Sequence, residues 1–490
     1  MKQKITRNGD ICPPSCTYII LSCLPVMLVL ATAFLIVCNS DFGLGDDFEL
    51  LTSICSGTPN PGLLYQNAGG RFNWSRSEYN FLLLTPFNDS PLAFYAVSAV
   101  QYFVFSLFTL LLLRDAIKRT ETVTGRLVLL GIWLTLHFGT HWAFFCLVQP
   151  ERLQITLLSA FCYFLLRARG TDRWRYYIAS LALAGIATYC KEPMFGAFAV
   201  MGILILLSRQ GGRKARFFAF GLFVIAAIYL ALYVLLVLPK ITELYRPNGT
   251  GGSKFVVMIM ASRNSPLMAA CLVLATAVTF RNVLYMASKA FSKKDGSSSR
   301  TFLTMEDAFL FSGAAYAVGI VLTGGTLASY FFPVLALSYP ALLLHIPKLL
   351  NKNKWLRMVM IILSLAVSAY YAHYYAGTAA HRIKYGHREM DEMRLLARFV
   401  DDGGELIWYD KENFKDTVIN WKAGCLPFFI DYINGTDSFV LNRTDKLPSG
   451  LSGESYVISW DEVPEYEAAA YPELPITMFH VYYGKGNDVK

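Results

Sequence analysis

The run Thr17-Tyr-Ile-Ile-Leu-Ser-Cys-Leu-Pro-Val-Met-Leu-Val-Leu-Ala-Thr-Ala-Phe-Leu-Ile-Val-Cys38 is followed at once by Asn39-Ser-Asp-Phe-Gly-Leu-Gly-Asp-Asp-Phe-Glu49. The first stretch is about 22 residues without a charge, enough helix to cross a hydrocarbon core roughly 30 Å thick. The second carries the carboxylates of Asp41, Asp46, Asp47 and Glu49 where that helix would meet water. There they avoid the cost of hydrocarbon yet can face a cavity between helices, which is how an acid or base reaches an amphiphilic molecule at a membrane surface.

Working outward, 54% of the 490 residues are hydrophobic, 16% are charged and the mean hydropathy is +0.40, which excludes a soluble domain. Candidate spans fall at 17–38, 91–113, 127–148, 153–166, 176–190, 194–208, 217–238, 266–288, 306–322, 327–346 and 357–375. The expectation is a mainly α polytopic membrane helix bundle of about eleven spans, with those between 153 and 190 short enough to merge or tilt.

Lys and Arg set the orientation, because short basic loops stay cytoplasmic. Every second loop is basic: Lys2, Lys4 and Arg7, then Arg114, Lys118, Arg119 and Arg126, then Arg167, Arg169, Arg173 and Arg175. Arg209, Arg213, Lys214 and Arg216 continue the series, as do Lys289, Lys293, Lys294 and Arg300, and finally Lys348, Lys352, Lys354 and Arg357. This predicts a multi-pass integral membrane protein with a cytoplasmic N-terminus and an extracytoplasmic acidic loop and C-terminus. The net charge of +9 then reports topology, with no reason to invoke nucleic acid. The first apolar run exceeds a signal-peptide h-region and reads as an uncleaved anchor. Cys55 and Cys425 both fall on the outer side, where they could pair. The sequons at Asn73, Asn88, Asn248, Asn434 and Asn442 fall there too.

Two domains are expected: a transmembrane domain over 1–375 with an outer loop at 39–90, and a small extracytoplasmic α/β domain over 376–490. The loop holds aromatic anchors such as Phe42, Phe48, Phe72 and Trp74, which suits short helices lying on the outer surface. The C-terminal domain should open with an amphipathic helix over 388–400. Strand-like runs follow at 405–409, 427–430, 438–441, 455–459 and 478–483.

For chemistry on the outer face, Asp46 and Asp47 serve equally as a catalytic carboxylate or as caps of the helix that follows. His137 and His141, one helical turn apart, share a face that could hold a phosphate, or could hydrogen-bond between helices. Two histidines do not define a metal site, and no metal is assigned. Glu151-Arg152 and Lys191-Glu192 stand at outer turns, each readable as a self-paired, solvated charge. Yet Arg152 and Lys191, with Arg71 and Arg246, place cations outside against the positive-inside rule, and an anionic lipid phosphate would account for them.

The many spans, Asp46-Asp47-Phe at the start of the first outer loop, Gly70-Arg71-Phe beyond it, the Lys191-Glu192 charges and the soluble outer C-terminal domain together resemble the GT-C glycosyltransferase superfamily. Within it the chain is most similar to bacterial GtrII-like enzymes that modify surface polysaccharide, which implies a bacterial inner membrane. No oligosaccharyltransferase or protein mannosyltransferase signature stands out. The resemblance implies a hexosyltransferase that moves a sugar from a polyprenyl-phosphate donor to a cell-surface glycan or glycolipid. It implies Asp46 or Asp47 as the base and no cofactor. Arg71, Arg152, Lys191, Glu192, Arg246, His137 and His141 are the candidate substrate-binding residues. A lipid-linked polysaccharide polymerase and a flippase or transporter are the rival readings; no paired repeats with broken helices favour the last.

Overall fold

The computed structural model describes residues 16–39, 41–43, 47–55, 66–67, 71–72, 77–120, 122–208, 212–240, 253–291, 304–350, 354–413, 415, 417–436, 438–448, 451, 455–468 and 479–483. In chain order these form α1 (Cys16–Cys38), α2 (Phe48–Cys55), β1 (Gln66–Asn67), β2 (Arg71–Phe72), α3 (Ser77–Leu82), α4 (Pro91–Lys118), α5 (Val123–Thr140) and α6 (Trp142–Phe145). They continue with α7 (Pro150–Thr171), α8 (Trp174–Cys190), α9 (Met194–Leu207), α10 (Arg213–Leu232), α11 (Lys254–Asn264), α12 (Pro266–Phe291), α13 (Met305–Leu322), α14 (Phe332–Leu350) and α15 (Lys354–Asp401). Last come β3 (Glu405–Tyr409), α16 (Thr417–Asn434), β4 (Asn442–Thr444), β5 (Ser455–Ser459), α17 (Pro464–Ala468) and β6 (His480–Tyr483). The apolar runs predicted as spans lie on helices, except that 127–148 is shared by α5 and α6 and leaves the helix after Phe145.

Among the described residues, seven helical segments are long and apolar enough to cross a membrane: Pro91–Lys118, Val123–Phe145, Arg213–Val237, Pro266–Leu284, Met305–Leu322, Ala328–Ile346 and Met358–His381. Much of their surface is unburied. Only 11% of the apolar window of Met358–His381 is covered by protein. Its exposed Met358, Val359, Ile362 and Leu365 make a face suited to hydrocarbon rather than water. The chain is an integral, multi-pass membrane protein.

The residues cluster into two compact units. One holds 1–36, 62–77 and 97–378; the other holds 37–61, 78–96 and 379–490. In the first, α7 packs on α8, α9 on α10 and α13 on α9 and α14. Glycines set how close these helices come: a Cβ on Gly319 of α13 would stand 2.7 Å from Cβ of Pro193, just ahead of α9.

In the second unit α2 packs on α16, and a four-stranded sheet runs β4-β3-β5-β6. β3 is parallel to β4 and β5, and β5 is antiparallel to β6. A parallel neighbour needs a crossover, and α16 supplies the one from β3 to β4. Ile407, Val457, Val463, Tyr466 and Tyr482 form the core there.

Three expectations change. The run at 427–430 is helical, inside α16, because Cys425, Leu426, Phe429 and Ile430 are buried at helical spacing. The run at 438–441 forms no ladder, which begins instead at Asn442. The amphipathic helix expected at 388–400 is the end of α15, which runs unbroken for 48 residues. It stops where Gly403, at φ +87°, takes the left-handed conformation of a helix C-cap. The outer loop also adds a small ribbon, β1 with β2, to its helices.

Candidate active site

The first unit contains a buried ionic cluster built from two helix ends. Pro150 opens α7 at a position where its missing N–H costs nothing, and Glu151 follows in the first turn, where the helix dipole favours an anion. Lys191 stands between α8 and α9 in extended backbone (φ −159°, ψ 139°), two residues before the Pro193 that precedes α9. Its ammonium donates to Oε1 of Glu151 and lies 3.4 Å from the centroid of the Tyr330 ring. Both charged side chains are almost fully buried, at 2% and 1% exposure. The second oxygen of Glu151, Oε2, is buried and accepts no hydrogen bond among the described residues.

Arg152 is also fully buried, and its Nη1 donates to the Cys146 carbonyl at 3.5 Å. Below this layer Gln154 ties three helices together, donating to the Ala187 carbonyl at 3.2 Å and accepting from the Tyr316 hydroxyl at 3.0 Å. Two expectations are corrected by these contacts. Glu151 and Arg152 are not a solvated self-paired turn, and Lys191 takes Glu151 as partner while Glu192 is half-buried. The reason is the packing of α7 on α8, which brings their open ends together.

The ribbon strand Arg71–Phe72 reaches the same helix end. Phe72 is buried with its ring 5.5 Å from Tyr189 and 5.6 Å from Tyr229. Tyr189 precedes Lys191 by two residues, so the backbone of Arg71 is anchored beside the segment that carries the lysine.

His137 and His141 are buried and their nitrogens are occupied. His137 Nδ1 is 2.9 Å from the Tyr102 hydroxyl, its Nε2 is 3.5 Å from Thr32 Oγ1, and its ring stacks on Trp133. His141 Nδ1 donates to the Phe138 carbonyl at 2.6 Å, and its Nε2 is 2.7 Å from Thr378 Oγ1. This is interhelical bonding, the second of the two readings of the sequence, with no ring nitrogen left for a phosphate.

In the second unit Asp47 immediately precedes α2. Its carbonyl accepts from Leu50 at 2.9 Å and from Leu51 at 3.1 Å, starting the helix. Its carboxylate turns back instead, with Oδ2 accepting from the Gly43 N–H at 2.9 Å, and the residue is buried. Asp41 is buried too, 3.3 Å from Arg394 Nη2 and 3.5 Å from His387 Nδ1. Burial raises its carboxyl above the ordinary 3.8, against the lowering pull of Arg394 and His387. Beside it Phe42 meets the ring of Tyr432 edge-on at 5.3 Å. Burial pushes the Tyr432 hydroxyl up to about 12, and it donates to the Asp89 carbonyl at 2.9 Å.

Asp46, Arg246 and the side chain of Arg71 lie outside the described residues. Among the described residues no three His, Cys, Asp or Glu converge to hold a metal ion. Sequence reasoning missed Glu151 as more than a partner of Arg152, missed Tyr330, and took Asp41 only as one of four carboxylates in the acidic run. For Glu151 the signal was Pro150 beside it; for Asp41, its place in the acidic run; Tyr330 carries none.

Residues 81–238 match the family model of the dolichyl-phosphate-mannose-protein mannosyltransferases. This stretch supports the GT-C membrane glycosyltransferase resemblance, and it contains Glu151, Arg152, Lys191 and Glu192. The match covers about a third of the chain. No curated protein matches by sequence. Two crystal structures of ArnT from Cupriavidus metallidurans are similar to the chain. The one bound to undecaprenyl phosphate has 12% identity and a TM-score of 0.45, covering 94% of this chain and 97% of that one. The apo form has 13% identity and a TM-score of 0.49, covering 93% and 97%.

Proposed function

We propose that the protein is a GT-C type glycosyltransferase that moves a hexose from a polyprenyl phosphate to a cell-surface glycan or glycolipid on the extracytoplasmic side. The observation that carries this is the buried Glu151–Lys191 pair with Arg152 beside it, within the stretch matched by a family that uses a sugar on a polyprenyl phosphate. Lys191 and Arg152 are two cations in one buried layer, and a phosphodiester carries one negative charge. Lys191 and Arg152 would hold the donor phosphate and stabilise the charge that gathers on it as the glycosidic bond breaks. Arg71 would add a third contact from the ribbon.

Asp46 or Asp47 would take the proton from the acceptor hydroxyl as that oxygen attacks the anomeric carbon, with inversion expected for a single displacement. The α/β domain at 376–490 would help to bind the acceptor. The orientation follows the basic loops, with the N-terminus cytoplasmic and the C-terminus outside.

The test is mass analysis of surface glycans from cells with and without the protein, paired with transfer by the purified protein from a defined polyprenyl-phosphate sugar. Glycans that keep the same mass, with no transfer in vitro, would reject the reading.

A further inference from the structure

A second site lies at the other end of α7. Between Glu151 and Arg167 that helix rises about 24 Å at 1.5 Å per residue. At its far end a cavity of about 430 Å³ opens among the ends of α4, α7, α13 and α14. Its charged lining is Asp115, Arg119, Arg167, Arg169 and Glu306. Arg167 pairs with Asp115 at 3.1 Å, and Arg169 pairs with the buried Glu306 at 3.3 Å. Arg119 lines the cavity exposed, and its side chain makes no ion pair or hydrogen bond among the described residues. Arg114 also lies 3.6 Å from Asp115, so guanidiniums outnumber the two carboxylates, and Arg119 is the lining one with no carboxylate partner among the described residues.

The rest of the wall is largely apolar: Leu112, Leu343 and Leu344 lie toward the ends of helices long and apolar enough to cross a membrane, Leu166 lies on α7, and Tyr163 and Thr171 add hydroxyls. A free phosphate would need neither this volume nor this wall. We propose that the cavity binds the headgroup of an anionic glycerophospholipid with free hydroxyls. Its phosphodiester charge would be met by Arg119, and its hydroxyls would donate to Asp115 and Glu306. A quaternary-ammonium headgroup has no such donor. The site draws on none of the residues assigned to sugar transfer and does not depend on that assignment.

The test is native mass spectrometry of the purified, delipidated full-length protein titrated with phosphatidylglycerol, phosphatidylcholine or inorganic phosphate. The wild type should retain one phosphatidylglycerol in preference to phosphatidylcholine. Arg119→Gln should weaken that binding on the order of tenfold, the loss of one charge-assisted hydrogen bond. Arg119 is exposed, so the variant keeps its packing, and Arg173→Gln, an exposed arginine outside the cavity lining, should bind like the wild type. Equal binding by wild type and Arg119→Gln would overturn the site. Phosphatidylcholine binding as well as phosphatidylglycerol would overturn the headgroup, and inorganic phosphate binding as tightly would overturn the lipid.

Discussion

The ammonium of Lys191 is clamped between two unlike partners, the carboxylate of Glu151 on one side and the face of Tyr330, 3.4 Å to the ring centroid, on the other. Removing one member of a buried ion pair leaves the other uncompensated, at about 3–5 kcal/mol. Lys191→Met and Glu151→Gln should therefore each lower the thermal midpoint in detergent. The double variant should recover much of that loss while transfer stays abolished. Recovery of transfer along with stability would make the pair purely architectural. Tyr330→Phe keeps the ring face and should behave as wild type; Tyr330→Leu should not.

For the base, Asp46→Asn and Asp47→Asn keep size and remove proton affinity. One of them should lose about 10²–10⁴-fold in transfer with normal membrane insertion. Near wild-type transfer by both would reduce Asp47 to the start of α2 and remove the proposed mechanism.

The histidines predict the opposite pattern. His137→Leu removes the hydrogen bond to the buried Tyr102 hydroxyl, at about 0.5–1.5 kcal/mol. Unfolding should come earlier, while the KM for the lipid donor stays where it was. A raised KM without a stability change would return His137 to the substrate.

Asp41 should make stability depend on pH with a definite sign. Its folded pKa lies above its ordinary 3.8, so over the interval between them the folded state keeps a proton that the unfolded chain has lost. Stability from this group is highest below 3.8 and falls as pH rises through the interval. In pH-resolved thermal unfolding, Asp41→Asn should lack that fall. A wild type and variant whose midpoints run parallel across the interval would contradict the burial argument.

Arg and Lys can neutralise one phosphate without a metal, whereas a divalent ion needs several oxygens converging on it. Transfer should survive EDTA, and Arg71→Ala should weaken donor use. Activity lost in EDTA and restored by Mg²⁺ or Mn²⁺ would recast Asp46, Asp47 and Glu49 as metal ligands.

The helices were readable because hydropathy is local: Thr17 to Cys38 or Phe217 to Leu238 says helix without reference to anything else. Pro427-Phe-Phe-Ile430 misled for the same reason, since a short apolar run fits a strand or a buried helix equally, and only the packing on α2 decides. The cations were visible as violations of a topology rule, but their partners were not. Glu151 is 40 residues from Lys191, and Arg394 is 353 residues from Asp41. Nothing local marks such pairs, so turns that looked solvated proved to be buried.

The position of the Glu151–Lys191 pair also bears on how the chain is made. Both charges ride on one helical hairpin, α7 with α8, and stand at its open end. The pair can therefore close as soon as that hairpin has left the ribosome, cancelling two charges before either must rest beside lipid alone. Tyr330 is synthesised much later and arrives at a lysine already neutralised. The expected order of assembly is the α7–α8 hairpin with its pair first and Tyr330 afterwards.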